Sequence, residues 1–369
     1  METLLERIRS EIALCGPMAM DRYMELALYD ETEGYYATGR PVFGGEGDFY
    51  TAPGVHAVFG ETIADYIVRQ RTSNDNKAQS GCVQKRLRIV EFGAGDARLA
   101  VGICGRLQQS SFQYTIIERS DPWRQLQRGV LRRFEEAVCW MDGEAIADHS
   151  VDFIVANELL DAFPMRVFER IGSSLFEWKI TIGSDSNLRE TKELVQGTDL
   201  PGEIACQLPL GSGYRFEWNA RLSAWLRSCV RMLRPGGCIV VIDYGGLRDE
   251  LYGFERKRGT LRAYKRHSVS ELVYANAGQQ DITADVDFDT VQSLAASLEI
   301  NTMWYGAQRN FLVQSGILER LTQIDGYVPL HDERRRRNMA IKHLVMPGYW
   351  ERFRVWVGCK SDCDKEVIE

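Results

Sequence analysis

The sequence predicts an α/β fold, with a mostly parallel sheet covered by helices on both faces, and three observations support this. Short apolar, β-branched segments alternate with stretches of helical periodicity from Leu87 onward. The first of them, Leu87–Phe92, leads into a glycine turn, Gly93-Ala94-Gly95-Asp96, followed by helix-forming residues 97–107. Finally, residues 151–157 and 238–245 are dominated by apolar and β-branched side chains, as strands buried on both faces must be.

The remaining elements follow in chain order. Residues 2–14, 20–28 and 58–68 have helical character. Between them, residues 34–41 and 44–53 mix glycines with tyrosine and phenylalanine, which predicts a shaped loop rather than a linker. Residues 71–86 are polar and are expected to form a connector. After the glycine turn come a strand at 115–118, a helical segment at 122–136 and a short strand at Val138–Trp140. The strand Val151–Asn157 and a hairpin within 166–182 are next. A helix over 219–233 stops at Arg234-Pro235-Gly236-Gly237, and the following strand ends in Asp243. Closing strands are expected around Trp304 and over 350–358.

In such a sheet ligands lie beyond the carboxyl ends of the strands, so Gly93, Glu118, Asn157 and Asp243 should converge on one crevice. Glycines at 93 and 95 let a ligand reach the main chain. Glu118, ending the next strand, carries two acceptor oxygens that suit the diol of a ribose. A dinucleotide fingerprint would need glycine at position 98, where this chain has Arg98, so NAD or FAD is disfavoured. A phosphate-free nucleoside, S-adenosylmethionine, fits the turn better, and a dinucleotide oxidoreductase is the weakest alternative.

Composition narrows the rest. A chain of 369 residues with 44% hydrophobic and 26% charged residues is ordinary globular material. Its net charge of −7 disfavours nucleic acid as a partner and mildly favours a basic peptide. No apolar run approaches the ~20 residues needed to cross a bilayer. The first residues lack a secretory core and are too acidic for a mitochondrial transit peptide, which predicts a cytoplasmic protein. Nine cysteines without a CxxC pair and five scattered histidines predict free thiols and no metal site.

Several segments are distinctive in combination: Gly47-Asp48-Phe49-Tyr50-Thr51-Ala52-Pro53, Glu91-Phe92-Gly93-Ala94-Gly95, Ala156-Asn157-Glu158-Leu159-Leu160-Asp161-Ala162, Ile242-Asp243-Tyr244-Gly245, Gly259-Thr260-Leu261-Arg262 and Gln280-Asp281-Ile282-Thr283. With them the chain resembles the MidA-like family of class I S-adenosylmethionine-dependent methyltransferases, which includes the mitochondrial complex I assembly-factor arginine methyltransferases. The resemblance implies a Rossmann-like seven-stranded sheet, a helical N-terminal extension over the cofactor (1–70) and the connector 71–86. It further implies a core over 87–255, an insert over 256–300 and closing strands with a tail over 301–369. The implied activity is methyl transfer to an arginine of a protein, by resemblance a complex I subunit. The alternative is a cofactor-binding assembly or chaperone-like factor with little turnover. A homodimer is compatible with either.

Tyr50, Thr51, Glu91, Gly93, Gly95, Glu118, Asp142 and Asn157 are expected at the cofactor. Asp142 follows the third strand, where it could bond the adenine amino group, and an aromatic face at Tyr50 would suit a sulfonium. Asn157, Glu158 and Asp161 are the candidate catalytic residues. Glu158 and Asp161, three apart, could share a face and grip a guanidinium with two carboxylates; otherwise they cap a helix. Asp243, Tyr244 and His267 join them as candidate substrate contacts. Departures from the family pattern stand at Gly54, Ala94, Asp96-Ala97 and Asp285, the last where a histidine is common.

Overall fold

The computed structural model describes residues 2–37, 51–77, 86–196, 212–253, 256–265, 268–326, 328–329 and 331–361. Its central sheet is built on β1 (Leu87–Phe92), β2 (Phe112–Ile117), β3 (Val138–Trp140), β4 (Val151–Asn157), β5 (Leu233–Gly246), β6 (Ile300–Ala307) and β7 (Phe353–Lys360), with the short strand Val286–Asp287 paired to the end of β5. Their spatial order is 6-7-5-4-1-2-3. All run parallel except β7, which lies antiparallel between β5 and β6. The chain therefore reverses direction across the sheet between β1 and β4, the place where this architecture opens a crevice.

Burial explains why these segments are strands. Residues 151–156 of β4 and 238–243 of β5 are buried, so their apolar side chains are covered on both faces. On one face pack the helices Val58–Lys77, Arg98–Leu107, Gln308–Gln314 and Glu333–Val345. On the other pack Leu222–Met232 and Phe288–Ser297. The helix ahead of the connector runs to Lys77, past its expected end at 68. Residues 69–77 are polar but contain neither glycine nor proline, so nothing in them stops a helix.

Two glycines set how closely Val58–Lys77 lies on Arg98–Leu107. A Cβ on Gly102 would stand 2.8 Å from the Ala57 carbonyl oxygen and 2.9 Å from the Gly60 Cα. Gly102→Val is therefore expected to cost about 1–3 kcal/mol by overpacking, read as a lower midpoint in thermal denaturation. An unchanged midpoint would contradict this contact.

Residues between β4 and β5 build a second sheet. Arg166–Ile171 and Ser174–Ile182 form the expected hairpin, with Val167 opposite Trp178. Leu188–Leu194, Tyr214–Trp218 and Met18–Ala19 extend it. Between β5 and β6 a third, three-stranded sheet forms from Arg262–Lys265, Ser268–Ser270 and Asp281–Thr283. The N-terminal helices Leu4–Cys15 and Met20–Tyr29 share a core with both added sheets.

One expectation about the cysteines is corrected. Cys238 and Cys359 form a disulfide, because β5 and β7 place them directly opposite each other. Their separation of 121 residues hides this proximity from the sequence. Cys15, Cys104, Cys139 and Cys229 are free. Among the described residues no group of histidine, cysteine and acidic side chains could hold a metal ion, and no helix is long and apolar enough to cross a membrane.

Candidate active site

The strand ends build the site. Where β1 finishes, Gly93 and Gly95 adopt left-handed backbone with φ of 63° and 50°. The left-handed backbone calls for glycine at 93, where a Cβ would also press on Leu159 Cδ1 at 2.9 Å. The helix Arg98–Leu107 begins immediately afterward. Arg98, in place of a third glycine, directs its Nη1 to the Gly54 carbonyl at 3.1 Å and its Nε to Asp96 at 2.9 Å. Its side chain thus ties the turn to the N-terminal segment.

Glu118 follows β2 and is oriented by two donors, the Ser120 N–H at 3.0 Å and Gln127 Nε2 at 3.1 Å. Gln127 Nε2 also donates to the Gly95 carbonyl at 3.0 Å, and Gln127 Oε1 accepts from Trp140 Nε1 at 2.8 Å. One fully buried glutamine therefore fixes the glycine turn and the strand-end carboxylate relative to each other. Sequence reasoning missed it, since a glutamine within a helix carries no local signal. Burial raises the Glu118 pKa. Glu91 is buried as well and accepts a hydrogen bond from the Tyr114 hydroxyl at 2.9 Å. Desolvation, reinforced by Asp96 and Glu118, pushes its pKa to about 8.

At the end of β4, Glu158 sits in left-handed backbone at φ 50°, an uncommon state for a residue with a side chain. The turn is held from beneath by Asp243, the fully buried acid of β5. Asp243 Oδ2 accepts the N–H groups of Leu159 at 3.2 Å and Leu160 at 2.8 Å, and Oδ1 accepts that of Tyr244 at 2.8 Å. Glu158 is half-buried at the cavity wall, and desolvation followed by the charge of Asp161 pushes its pKa to about 8. Burial also raises Asp161, against the opposing pull of Arg262. Asn157 Nδ2 donates to Glu158 at 3.3 Å, while the buried Asn157 Oδ1 has no partner among the described residues.

A cavity of about 1280 Å³ unites these groups. Thr51, Glu91, Gly93, Gly95, Glu118 and Asn157 line it, together with Glu158, Asp161 and Tyr244. Two expectations fail. Asp243 does not line the cavity, because its carboxylate is used up in folding the turn that presents Glu158. Asp142 does not line it either; its side chain is 82% exposed and pairs with Arg124 at 3.3 Å, since the chain turns outward after β3. Tyr50 and His267 lie outside the described residues.

Further lining residues went unassigned in the sequence. Arg262 lies over the Tyr244 ring at 4.6 Å and is anchored by Asp285 at 2.5 Å and the Tyr264 hydroxyl at 2.7 Å. Asp285 also pairs with Arg256 at 2.8 Å. It acts behind the cavity wall and does not line the cavity. Tyr36 stacks on Tyr29 and donates its hydroxyl to Asp281 at 2.8 Å. Period-two spacing of Arg262 and Tyr264 was the available signal; the pairing with Asp281 was not.

These residues fit S-adenosylmethionine. The turn offers bare backbone, Glu118 retains lone pairs for a ribose diol, and Asn157 Oδ1 is an unsatisfied acceptor. Comparison with known proteins decides the family. A family model described as "Putative S-adenosyl-L-methionine-dependent methyltransferase" matches residues 62–306. The chain belongs to this family. A crystal structure from Burkholderia thailandensis bound to S-adenosyl-homocysteine is similar to this methyltransferase with a TM-score of 0.83 and 27% identity. That likeness covers 97% of this chain and 92% of the other. The protein arginine methyltransferase NDUFAF7 homolog of Caenorhabditis elegans mitochondria is 24% identical over 94% of this chain and 84% of its own. The Drosophila melanogaster homolog is 26% identical over 79% and 70%. The protein is a methyltransferase of the class I fold, and its cofactor is S-adenosyl-L-methionine.

Proposed function

We propose that the methyltransferase acts on a guanidino nitrogen of an arginine in a protein. The observation that carries this reading is the pair Glu158 and Asp161 in the cavity that also holds the glycine turn and Glu118. A guanidinium is a planar cation that carboxylates bind bidentately, and its burial is costly without them. Tyr36 adds an aromatic ring at the cavity wall, which suits a cation, whereas the Tyr244 ring already carries Arg262. The Caenorhabditis and Drosophila relatives, named as protein arginine methyltransferases, support the same acceptor. The family resemblance further suggests a respiratory complex I subunit as the protein modified. A cytoplasmic location belongs to this reading and is checked by cell fractionation.

The bound cofactor supplies an electrophilic methyl group on a positively charged sulfur. The chain's own residues do the rest. Glu118 and the backbone at Gly93 and Gly95 hold the nucleoside and its amino-acid end. Glu158 and Asp161 align the guanidinium, and such alignment can supply up to ~7–11 kcal/mol of the barrier reduction. The nitrogen that gains a methyl group must lose a proton, and Glu158 Oε1 or Oε2 accepts it.

Labelled cofactor incubated with whole-cell protein tests the reading. Acid hydrolysis is expected to release label as methylarginine. Label recovered on lysine, histidine or a carboxylate overturns it.

A further inference from the structure

One face of the three-stranded insert sheet forms a wall of the cavity. Side chains alternate along a strand, and the pairing places Thr283 opposite Arg262, with Asp281 and Val269 on either side of Tyr264. All five line the cavity, whereas Ala263 and Ile282 between them are buried in the core behind. Arg262 shares Asp285 with Arg256, and the acids that line this route are Asp281, Asp161 and Glu158, the last ionised above about pH 8. A cationic segment fits it, and an acidic one is repelled.

The strand Ser268–Ser270 is the outer edge of this sheet. Among the described residues it pairs only with Arg262–Lys265. All three of its residues are exposed, Val269 to 61%. An edge strand leaves one row of N–H and C=O groups open, and another extended chain can pair with it. Here the open edge stands at the rim of the cavity, since Val269 both lines the cavity and faces solvent.

We propose that the acceptor protein docks as an extended segment along Ser268–Ser270, its arginine passing Val269 and Tyr264 to reach Asp161 and Glu158. This docking mode rests on the arginine reading above.

The test uses the whole protein, labelled S-adenosylmethionine and, as acceptor, bulk protein from cells lacking this chain, with methylarginine as the readout. Val269→Lys sets a like charge beside the incoming arginine, and Val269→Pro removes an edge N–H at a position where sheets tolerate proline. Each is expected to lower the initial rate at limiting acceptor by about tenfold or more, with cofactor affinity unchanged by calorimetry. Met303→Lys, an equally exposed change on β6 away from the cavity, is expected to keep the native rate. Methylarginine formed by Val269→Lys at the native rate overturns the docking surface alone, and should Val269→Pro fail to fold, that lysine variant decides. Label on a residue other than arginine overturns the arginine reading and the docking mode together.

Discussion

Glu118→Ala is expected to weaken S-adenosylmethionine binding about 100-fold. Hydrogen bonds to a charged group contribute about 1.5–3 kcal/mol each, and a ribose diol makes two of them with one carboxylate. A loss of about 3 kcal/mol corresponds to roughly a hundredfold in Kd. The structure adds a reason for a large effect. Glu118 is oriented by the Ser120 N–H and by Gln127, so its oxygens are in place before the ligand arrives. Gln127 keeps its bonds to Gly95 and Trp140 when the carboxylate is removed, so the turn should survive. Glu118→Gln retains one acceptor oxygen and is expected to lie between the two. Calorimetry on the folded variants provides the check; a Kd within a few-fold of native for the alanine variant would remove Glu118 from the cofactor site.

The second large effect is expected at Glu158. Glu158→Gln preserves shape but removes the proton acceptor, and loss of a general base lowers the rate by about 10²–10⁴. Cofactor affinity should change little, because Glu158 belongs to the acceptor side of the cavity in this account. The pH profile gives the sign. With a pKa pushed up to about 8, Glu158 is ionised only above that value, so kcat/KM of the native enzyme should fall as pH drops through about 8. Stability runs the other way. A carboxyl whose pKa is raised on folding holds its proton in the native state from its ordinary value of 4.5 up to about 8, while the unfolded chain has lost it. Stability from this group therefore falls as pH rises through that window. The glutamine variant escapes the loss and should melt no lower than the native protein at pH 8. A variant that lost activity by melting early would point to damage rather than chemistry. Native turnover in Glu158→Gln would exclude the carboxylate from proton transfer.

The succession of strands and helices along the chain was legible because it rests on local pattern, whereas the spatial order of the strands was not. Apolar β-branched runs, a glycine turn and an acid ending the next strand are each written within a few consecutive residues. What the sequence hid depends on contacts between distant segments. Asp243 ends its strand just as Glu118 does, yet it turns inward to bind three backbone N–H groups. Nothing local separates an acid that faces a ligand from one that folds a turn. Asp142 likewise follows a strand but faces solvent. Gln127 was illegible for the opposite reason, since its importance comes from three partners on three other segments. The insert wall combines residues from 262 to 283 that only sheet pairing brings together.

One cavity must serve both the nucleoside and the methyl acceptor. A crystal structure of the protein with S-adenosylhomocysteine tests this most directly. The ribose hydroxyls are expected on the Glu118 carboxylate, the amino-acid end against Gly93 and Gly95, and the sulfur on the side of Glu158 and Asp161. A ligand whose sugar lies away from Glu118, or whose sulfur turns from the two acids, would contradict it.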